Sequence, residues 1–301
     1  MKNKLVLRDN EFTSFHSAYL QYLWQRYFDI EYYDPSKTYD RAGNVFVVNW
    51  SNADDDHSNR LKNQGYSVAV DNLWEFPKYR TDCHWIENLD WFWYNESLWW
   101  RSMGYHRYRP NKTYSKLALM PIRRQDATRD IIVNRLGHRL DNFIWSYGDQ
   151  RLPDDVSPSQ DDHQRHFNPA WYDQTYFSVV VEAHPSKIRQ CQRLTEKSFK
   201  PMAHRHPFLL IAQDGALKKL HDLGFETYEN LFDESYDDIK DFDQRLAAVL
   251  KLIDNFNCVA YDSTTLGKLQ HNHDHFFDQS LVESKIVSEI INPLLEYAQT
   301  R

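Results

Sequence analysis

Glu182 closes the apolar run at 176–181 (YFSVVV). A carboxylate there sits at the C-terminal edge of a sheet, where doubly wound sheets take their ligands. Its alternative role is structural, as a cap on the loop that follows. A second candidate begins at 194–202 (LTEKSFKPM). Thr195 is a good N-cap, which places Glu196 and Lys197 in the first turn of a helix. Free backbone N–H groups and the positive dipole end would face an anion there. Lys197 and Lys200 lie three apart and share a helix face, so both would reach a diphosphate. A lysine at a helix N-terminus is electrostatically unfavourable unless an anion is bound, which makes Lys197 more than an ordinary surface lysine.

Phosphate chemistry on a glycine-rich loop is excluded. Glycine numbers eight in 301 residues, and neither G-x-G-x-x-G nor G-x-x-x-x-G-K-[ST] occurs. Side chains and helix N-termini must hold any phosphate instead. Net charge is −7, yet residues 101–151 carry eleven Lys and Arg against four Asp and Glu, an island of +7. Such an island reads as a footprint for the phosphates of a nucleotide or a nucleic acid, or as a solvated basic face.

The elements that would position these residues alternate between strand and helix. The first forty residues read as helix, with Phe15, Tyr19, Leu20, Leu23, Trp24 and Tyr27 at three- and four-residue spacing. Strands follow at 44–50 and 66–70, with a helix between them, a βαβ unit. After Pro110 the pattern restarts: strand 116–120, helix 123–140, strand 142–146, and a polar loop over 148–170. Strand 176–182, helix 195–205, strand 207–211, helix 214–223, short strand 225–228, and helices near 238–256 and 280–298 complete it. The expected fold is α/β, two facing Rossmann-like domains with ligands in the cleft between them. The expected division is 1–114, 115–280 and a C-terminal helix at 281–301.

No stretch approaches the apolar length of a membrane span, and the N-terminus lacks a signal-peptide core. Three scattered cysteines suggest neither a disulfide framework nor a thiolate zinc site. A cytoplasmic protein with no membrane partner is expected. The histidines at 271–275 (HNHDH) alternate and do not converge on one ion, so no metal site is expected.

A strand ending in Glu182, a loop, Thr195-Glu196-Lys197 opening a helix, and a hydrophobic strand beginning at Pro207 resemble the donor half of α1,3-fucosyltransferase-like enzymes. The run continues into Gly224-Phe225-Glu226-Thr227-Tyr228 and Asp233–Asp237 (DESYD), and in this it looks closer still to glycosyltransferase-like proteins of tailed phages. The resemblance covers roughly 115–255. It implies the two-domain GT-B fold and inverting, metal-independent transfer with a nucleotide diphosphate sugar as donor and no further cofactor. By position, Glu182 and Glu196 would contact donor sugar or ribose hydroxyls, and Lys197 would hold the diphosphate. The family's phosphate-binding arginine after the first strand of this domain falls among Arg123, Arg124 and Arg129. No Asn follows Glu182 and the loop to Thr195 is long, so fucose itself is not implied.

Such a transfer needs a general base at the acceptor hydroxyl. Asp71 and Glu75, after strand 66–70, are the first choices, and Glu96 the third. The aromatic segment 85–100 reads mostly as core, with stacking of an acceptor ring as its alternative use. Two acceptor classes follow: first a hydroxymethylated pyrimidine in double-stranded phage DNA, because eleven basic residues in fifty-one exceed what one diphosphate requires, and as the alternative a glycan or protein. The rival to an enzyme, whether hexosyl-, pentosyl- or fucosyltransferase-like, is a non-catalytic nucleotide- or nucleic-acid-binding module of the same fold.

Overall fold

The computed structural model describes residues 2–8, 14–49, 55–72, 81–87, 90–122, 124–152, 168–183, 185–186, 194–256 and 260–300. Its first elements are β1 (Asn3–Leu7), α1 (Gln21–Tyr27), β2 (Phe28–Tyr32), β3 (Asn44–Asn49), α2 (Asp56–Asn63), β4 (Ser67–Asn72), β5 (His84–Glu87) and α3 (Trp91–Ser102). Then come β6 (Lys116–Pro121), α4 (Ala127–Leu136), β7 (Phe143–Ser146), α5 (Pro169–Asp173), β8 (Thr175–Val181), α6 (Glu196–Ala203) and β9 (Phe208–Ile211). The chain ends with α7 (Ala216–Asp222), α8 (Phe242–Asn255), α9 (Ser263–Phe276), α10 (Gln279–Ile286) and α11 (Asn292–Gln299). Two compact units result: Met1–Trp99 with Asp278–Arg301, and Trp100–Phe277.

The first unit is built on a parallel sheet of order β2-β1-β3-β4-β5. Every residue of β3 and β4 is buried, as expected for parallel strands covered on both faces. On one face Val6, Phe46, Val48, Val68 and Val70 pack with Tyr39 and with Leu61 of α2. Asp55 caps α2, accepting from the Ser58 amide at 2.7 Å. The C-terminal helices belong here too: the Tyr94 hydroxyl donates to Glu289 at 2.6 Å and that of Tyr297 to the Val68 carbonyl at 3.2 Å.

One expectation for this unit is corrected. The first forty residues are not one helix but β1, the short α1 and β2. Helical periodicity is real only around Leu20, Leu23 and Trp24, all buried. Around it, pairing with β3 decides: Leu5 and Leu7 lie opposite Val45 and Val47, and tertiary pairing overrides a local pattern.

The second unit carries a parallel sheet of order β7-β6-β8-β9. Strand order reverses between β6 and β8, so the topological switch point lies at their C-terminal ends. Residues 108–116 are fastened inside this unit: the Thr113 amide donates to the Asp173 carbonyl at 2.8 Å, Lys116 N–H to that of Gln174 at 2.9 Å, and Lys112 Nζ to that of Tyr172 at 2.9 Å. These bonds tie 112–116 to α5 of the second unit, which begins at Trp100 where the sequence suggests 115.

The expected strand at 225–228 is absent. Its backbone bonds go to α7 and to side chains: Phe225 N–H to the Leu220 carbonyl at 3.0 Å, and Glu226 N–H to Asn272 Oδ1 and Tyr228 N–H to Glu234 Oε1, both 2.7 Å. Helix α9, which supplies Asn272, is an element that the sequence pattern does not announce. Among the described residues no helix is long and apolar enough to cross a membrane.

Candidate functional site

Glu182 leaves the C-terminal end of β8 at the switch point and is 2% exposed. Its Oε1 accepts from the Thr195 amide at 2.9 Å and from Ser198 Oγ at 2.7 Å. Its Oε2 accepts from Thr195 Oγ1 at 2.6 Å. A buried carboxylate bonded this way is satisfied by neutral donors and by the positive end of α6.

That geometry revises how an anion would be held. The first amides of α6 do not wait for a ligand: Thr195 N–H serves Glu182, Lys197 N–H reaches Thr195 Oγ1 at 3.5 Å, and Ser198 N–H bonds the Thr195 carbonyl at 3.1 Å. The neighbouring helices follow the same rule. Asp126 caps α4 through the Arg129 amide at 3.0 Å, and Asp237 caps α7 through the amides of Leu217 and Lys218 at 3.0 and 3.2 Å. Negative charge from the chain already occupies each helix start, so binding falls to side chains.

Those side chains are close by. Lys197 Nζ contacts Glu196 Oε1 at 2.6 Å and Thr195 Oγ1 at 3.2 Å. Burial pushes the Glu196 carboxyl up, but Lys197 and Lys200 outweigh it and hold the group below its usual range. Arg129 is 4% exposed. Its Nη1 bonds Asp126 Oδ2 at 3.0 Å and its Nη2 the Glu182 carbonyl at 3.5 Å, while Nε has no hydrogen-bond partner among the described residues. Glu182 and Thr195 are thus bonded directly, Glu196 and Lys197 pair beside them on α6 with Lys200 acting on Glu196, and Arg129 reaches the Glu182 carbonyl. Of the other two arginines, Arg124 is exposed and lends its carbonyl to Arg129 at 3.3 Å; Arg123 lies outside the described residues, as does Glu75.

Asp71 and Glu96 are placed differently from expectation. Asp71 is 0% exposed; its Oδ2 accepts from the Ser14 amide at 2.5 Å, and Oδ1 has no partner among the described residues. A carboxyl with no exposed surface is not set to take a proton from an acceptor hydroxyl. Glu96 on α3 is 2% exposed and accepts from Asn95 Nδ2 at 3.3 Å. Burial pushes the Asp71 carboxyl up to about 6, against the Ser14 bonds that lower it. Its folded pKa therefore exceeds its unfolded value: the stability it contributes is complete below the unfolded pKa and lost as pH rises through about 6. Asp71→Asn keeps an acceptor for Ser14 and is expected to stabilise the protein by roughly 1–3 kcal/mol at pH 8 and hardly at all near pH 4. Melting temperatures at the two pH values check this; destabilisation at pH 8 would show that the charge is needed.

The remaining candidates are structural. Trp91, Trp93 and Tyr94 are buried at 5%, 0% and 1% exposure, so most of the aromatic segment is core. His271 donates to the Gly224 carbonyl at 2.9 Å, His275 to that of Leu223 at 2.8 Å and His273 to that of Ala203 at 3.1 Å. Among the described residues no group of three His, Cys, Asp or Glu is placed to hold a metal. Three arginines of the basic island are paired with carboxylates: Arg129 with Asp126 at 3.0 Å, Arg135 with Asp243 at 3.7 Å, and Arg139 with Asp254 at 2.9 Å. Sequence reasoning missed Arg245, buried on α8 beside the site. The available signal was its phase, four and eight residues before the buried Val249 and Ile253, a cation on an apolar stripe.

No family model matches this chain, and no curated protein matches it in sequence. Among solved structures it is similar to an α1,3-fucosyltransferase, with a TM-score of 0.50 at 10% identity over 94% of this chain and 92% of that one. It also aligns with an α1,3-fucosyltransferase solved with GDP-fucose, at a TM-score of 0.45 and 10% identity over 92% and 90%. The first likeness concerns fold: this is an α/β protein with two Rossmann-like parallel-sheet units, the fucosyltransferase-like GT-B fold.

Proposed function

We propose that this chain is a glycosyltransferase that moves a sugar from a nucleotide diphosphate sugar to an acceptor hydroxyl, with inversion and without a metal. The observation that carries the reading is the buried Glu182–Thr195–Ser198 network at the switch point, with Glu196 and Lys197 in the first turn of α6 and Arg129 reaching the Glu182 carbonyl. As the acceptor oxygen bonds to the anomeric carbon, the bond from that carbon to the diphosphate breaks and charge grows on the leaving group. Lys197, Lys200 and Arg129 are the cations that meet it, with Arg124 at the exposed rim. Preorganised side-chain cations do for the leaving group what a metal does elsewhere. Glu196, held ionised, accepts from ribose or sugar hydroxyls. Because Asp71 and Glu96 are enclosed, Glu75 is the base we propose for the acceptor proton.

For the acceptor, a glycan or protein hydroxyl is favoured over hydroxymethylated pyrimidines of phage DNA. Arg129, Arg135 and Arg139 of the basic island are paired with carboxylates, which reduces the charge open to a phosphate backbone.

The test is release of nucleoside diphosphate from a panel of nucleotide sugars, offered with glycans and with hydroxymethylated duplex DNA. Turnover with at least one donor is expected. Glu75→Gln should remove about 99% of it while leaving donor affinity intact. Tight donor binding with no hydrolysis or transfer on any acceptor would point to the non-catalytic module instead.

A further inference from the structure

We propose that Arg245 is a positioning residue for the donor site, fixing the turn that leaves β8 so that Glu182 stays aimed at α6. This rests on the donor reading above. Arg245 is 4% exposed and its hydrogen bonds run to backbone carbonyls. Nη2 donates to Pro185 O at 3.0 Å, Nε to Ala212 O at 3.0 Å, and Nη1 to Ile239 O and to Lys240 O at 3.2 Å. Pro185 follows β8 and Ala212 follows β9, so one guanidinium ties together the exits of two adjacent strands.

The same turn is also held by α4. Arg129 Nη2 reaches the Glu182 carbonyl at 3.5 Å, and Thr128 Oγ1 lies 3.2 Å from Ser186 Oγ. The exit of β8 is thus bonded by both α4 and α8, with the Glu182 carboxylate at its start. Glu182 can reach Thr195 and Ser198 together only while the backbone that carries it keeps one course. A guanidinium suits the task because its five N–H donors lie in a rigid planar fork, whereas an ammonium is a single point with three. Arg245→Lys keeps the charge and cannot span the same carbonyls.

The experiment compares Arg245→Lys with Val249→Ala, a core truncation on the same helix at a residue with 0% exposure. Hydrogen exchange of peptides covering 179–186 and 194–202 and calorimetry with nucleoside diphosphate are run well below both melting temperatures. Arg245→Lys is expected to speed exchange in both peptides about tenfold and to weaken nucleoside diphosphate binding about tenfold. Val249→Ala should lower the melting temperature and leave both readouts within about twofold. If Arg245→Lys shifts exchange no more than Val249→Ala does, the positioning role is wrong. If the wild type binds no nucleoside diphosphate, the donor reading fails while the exchange comparison still decides Arg245. Arg245→Gln, which keeps a donor for Pro185 O, replaces the lysine variant should that one not fold.

Discussion

Glu182→Ala is expected to destabilise the second unit by roughly 3–5 kcal/mol and to abolish donor binding. The truncation leaves the Thr195 amide, Thr195 Oγ1 and Ser198 Oγ without the acceptor they share, in a place where Thr195 and Ser198 are 3% and 0% exposed. Each buried donor left unpaired costs about 1–3 kcal/mol, and they are coupled, so the sum is less than three full penalties. It also removes the negative charge at the N-terminus of α6. Glu182→Gln keeps an acceptor for the Thr195 amide and is expected to cost roughly 1–2 kcal/mol. Urea unfolding of the three proteins, with nucleotide binding measured on each, separates these outcomes. An alanine variant within about 1 kcal/mol of wild type would show that the network is not what orders α6.

Acid is expected to unfold the second unit from an onset above the carboxylate range, through His204 and His206. Both are 0% exposed. Burial, aided by His273, Lys112 and Lys200, pushes His204 down to about 3 against its bond to the Lys200 carbonyl. His206 is held well below its usual value by burial, then by Lys112. Lys112 Nζ lies 2.8 Å from His206 Nδ1, so that nitrogen is an acceptor. The other ring nitrogen donates to Thr175 Oγ1 at 3.3 Å, since that hydroxyl spends its own proton on the Trp171 carbonyl at 2.8 Å. Protonating His206 would set two cations against each other. Burial pulls the Lys112 ammonium down to about 8 against Asp173, a counter-charge already bonded by the Tyr108 hydroxyl and Asn111 N–H.

For these histidines the folded pKa lies below the unfolded one. Above pH 6.5 neither state binds the protons; below it the unfolded chain takes up protons that the folded chain refuses, so stability falls with pH. His204 alone represents a loss of roughly 4 kcal/mol by about pH 3. Asp71, in the first unit, works in the opposite sense over part of this range, so the cleanest measurement uses the Asp71→Asn protein. Denaturant unfolding between pH 7 and 5 should show stability declining from about pH 6.5, and His206→Asn should flatten the decline. A flat profile down to pH 5 would mean that neither imidazole is held neutral.

Much of the second unit was legible because its strands are short apolar runs bounded by polar loops, and parallel burial leaves that pattern intact at 116–120, 142–146 and 207–211. The N-terminal strands were not: β1 (NKLVL) opens with polar residues and β2 (FDIEY) carries two carboxylates, so neither stands out as an apolar run beside the aromatic spacing of α1. At the site, Glu182 and Thr195 could be placed from strand end and N-cap chemistry. That the one occupies the donors of the other could not, because they stand thirteen positions apart in the chain. Asp71 looked accessible from its position after a strand, and only the packing of Ser14 against it shows otherwise. Arg245 was hidden for a different reason: its partners are carbonyls, which every residue has, so no complementary side chain marks them in the sequence.

The most direct test of the account is calorimetric titration of wild type and Lys197→Met with a nucleoside diphosphate and the matching monophosphate. The wild type is expected to bind the diphosphate more tightly, and the substitution to weaken diphosphate binding about 10- to 100-fold while changing monophosphate affinity little. Equal diphosphate affinity in the two proteins, with the fold intact by circular dichroism, would contradict a donor site built on Glu182, Glu196 and Lys197.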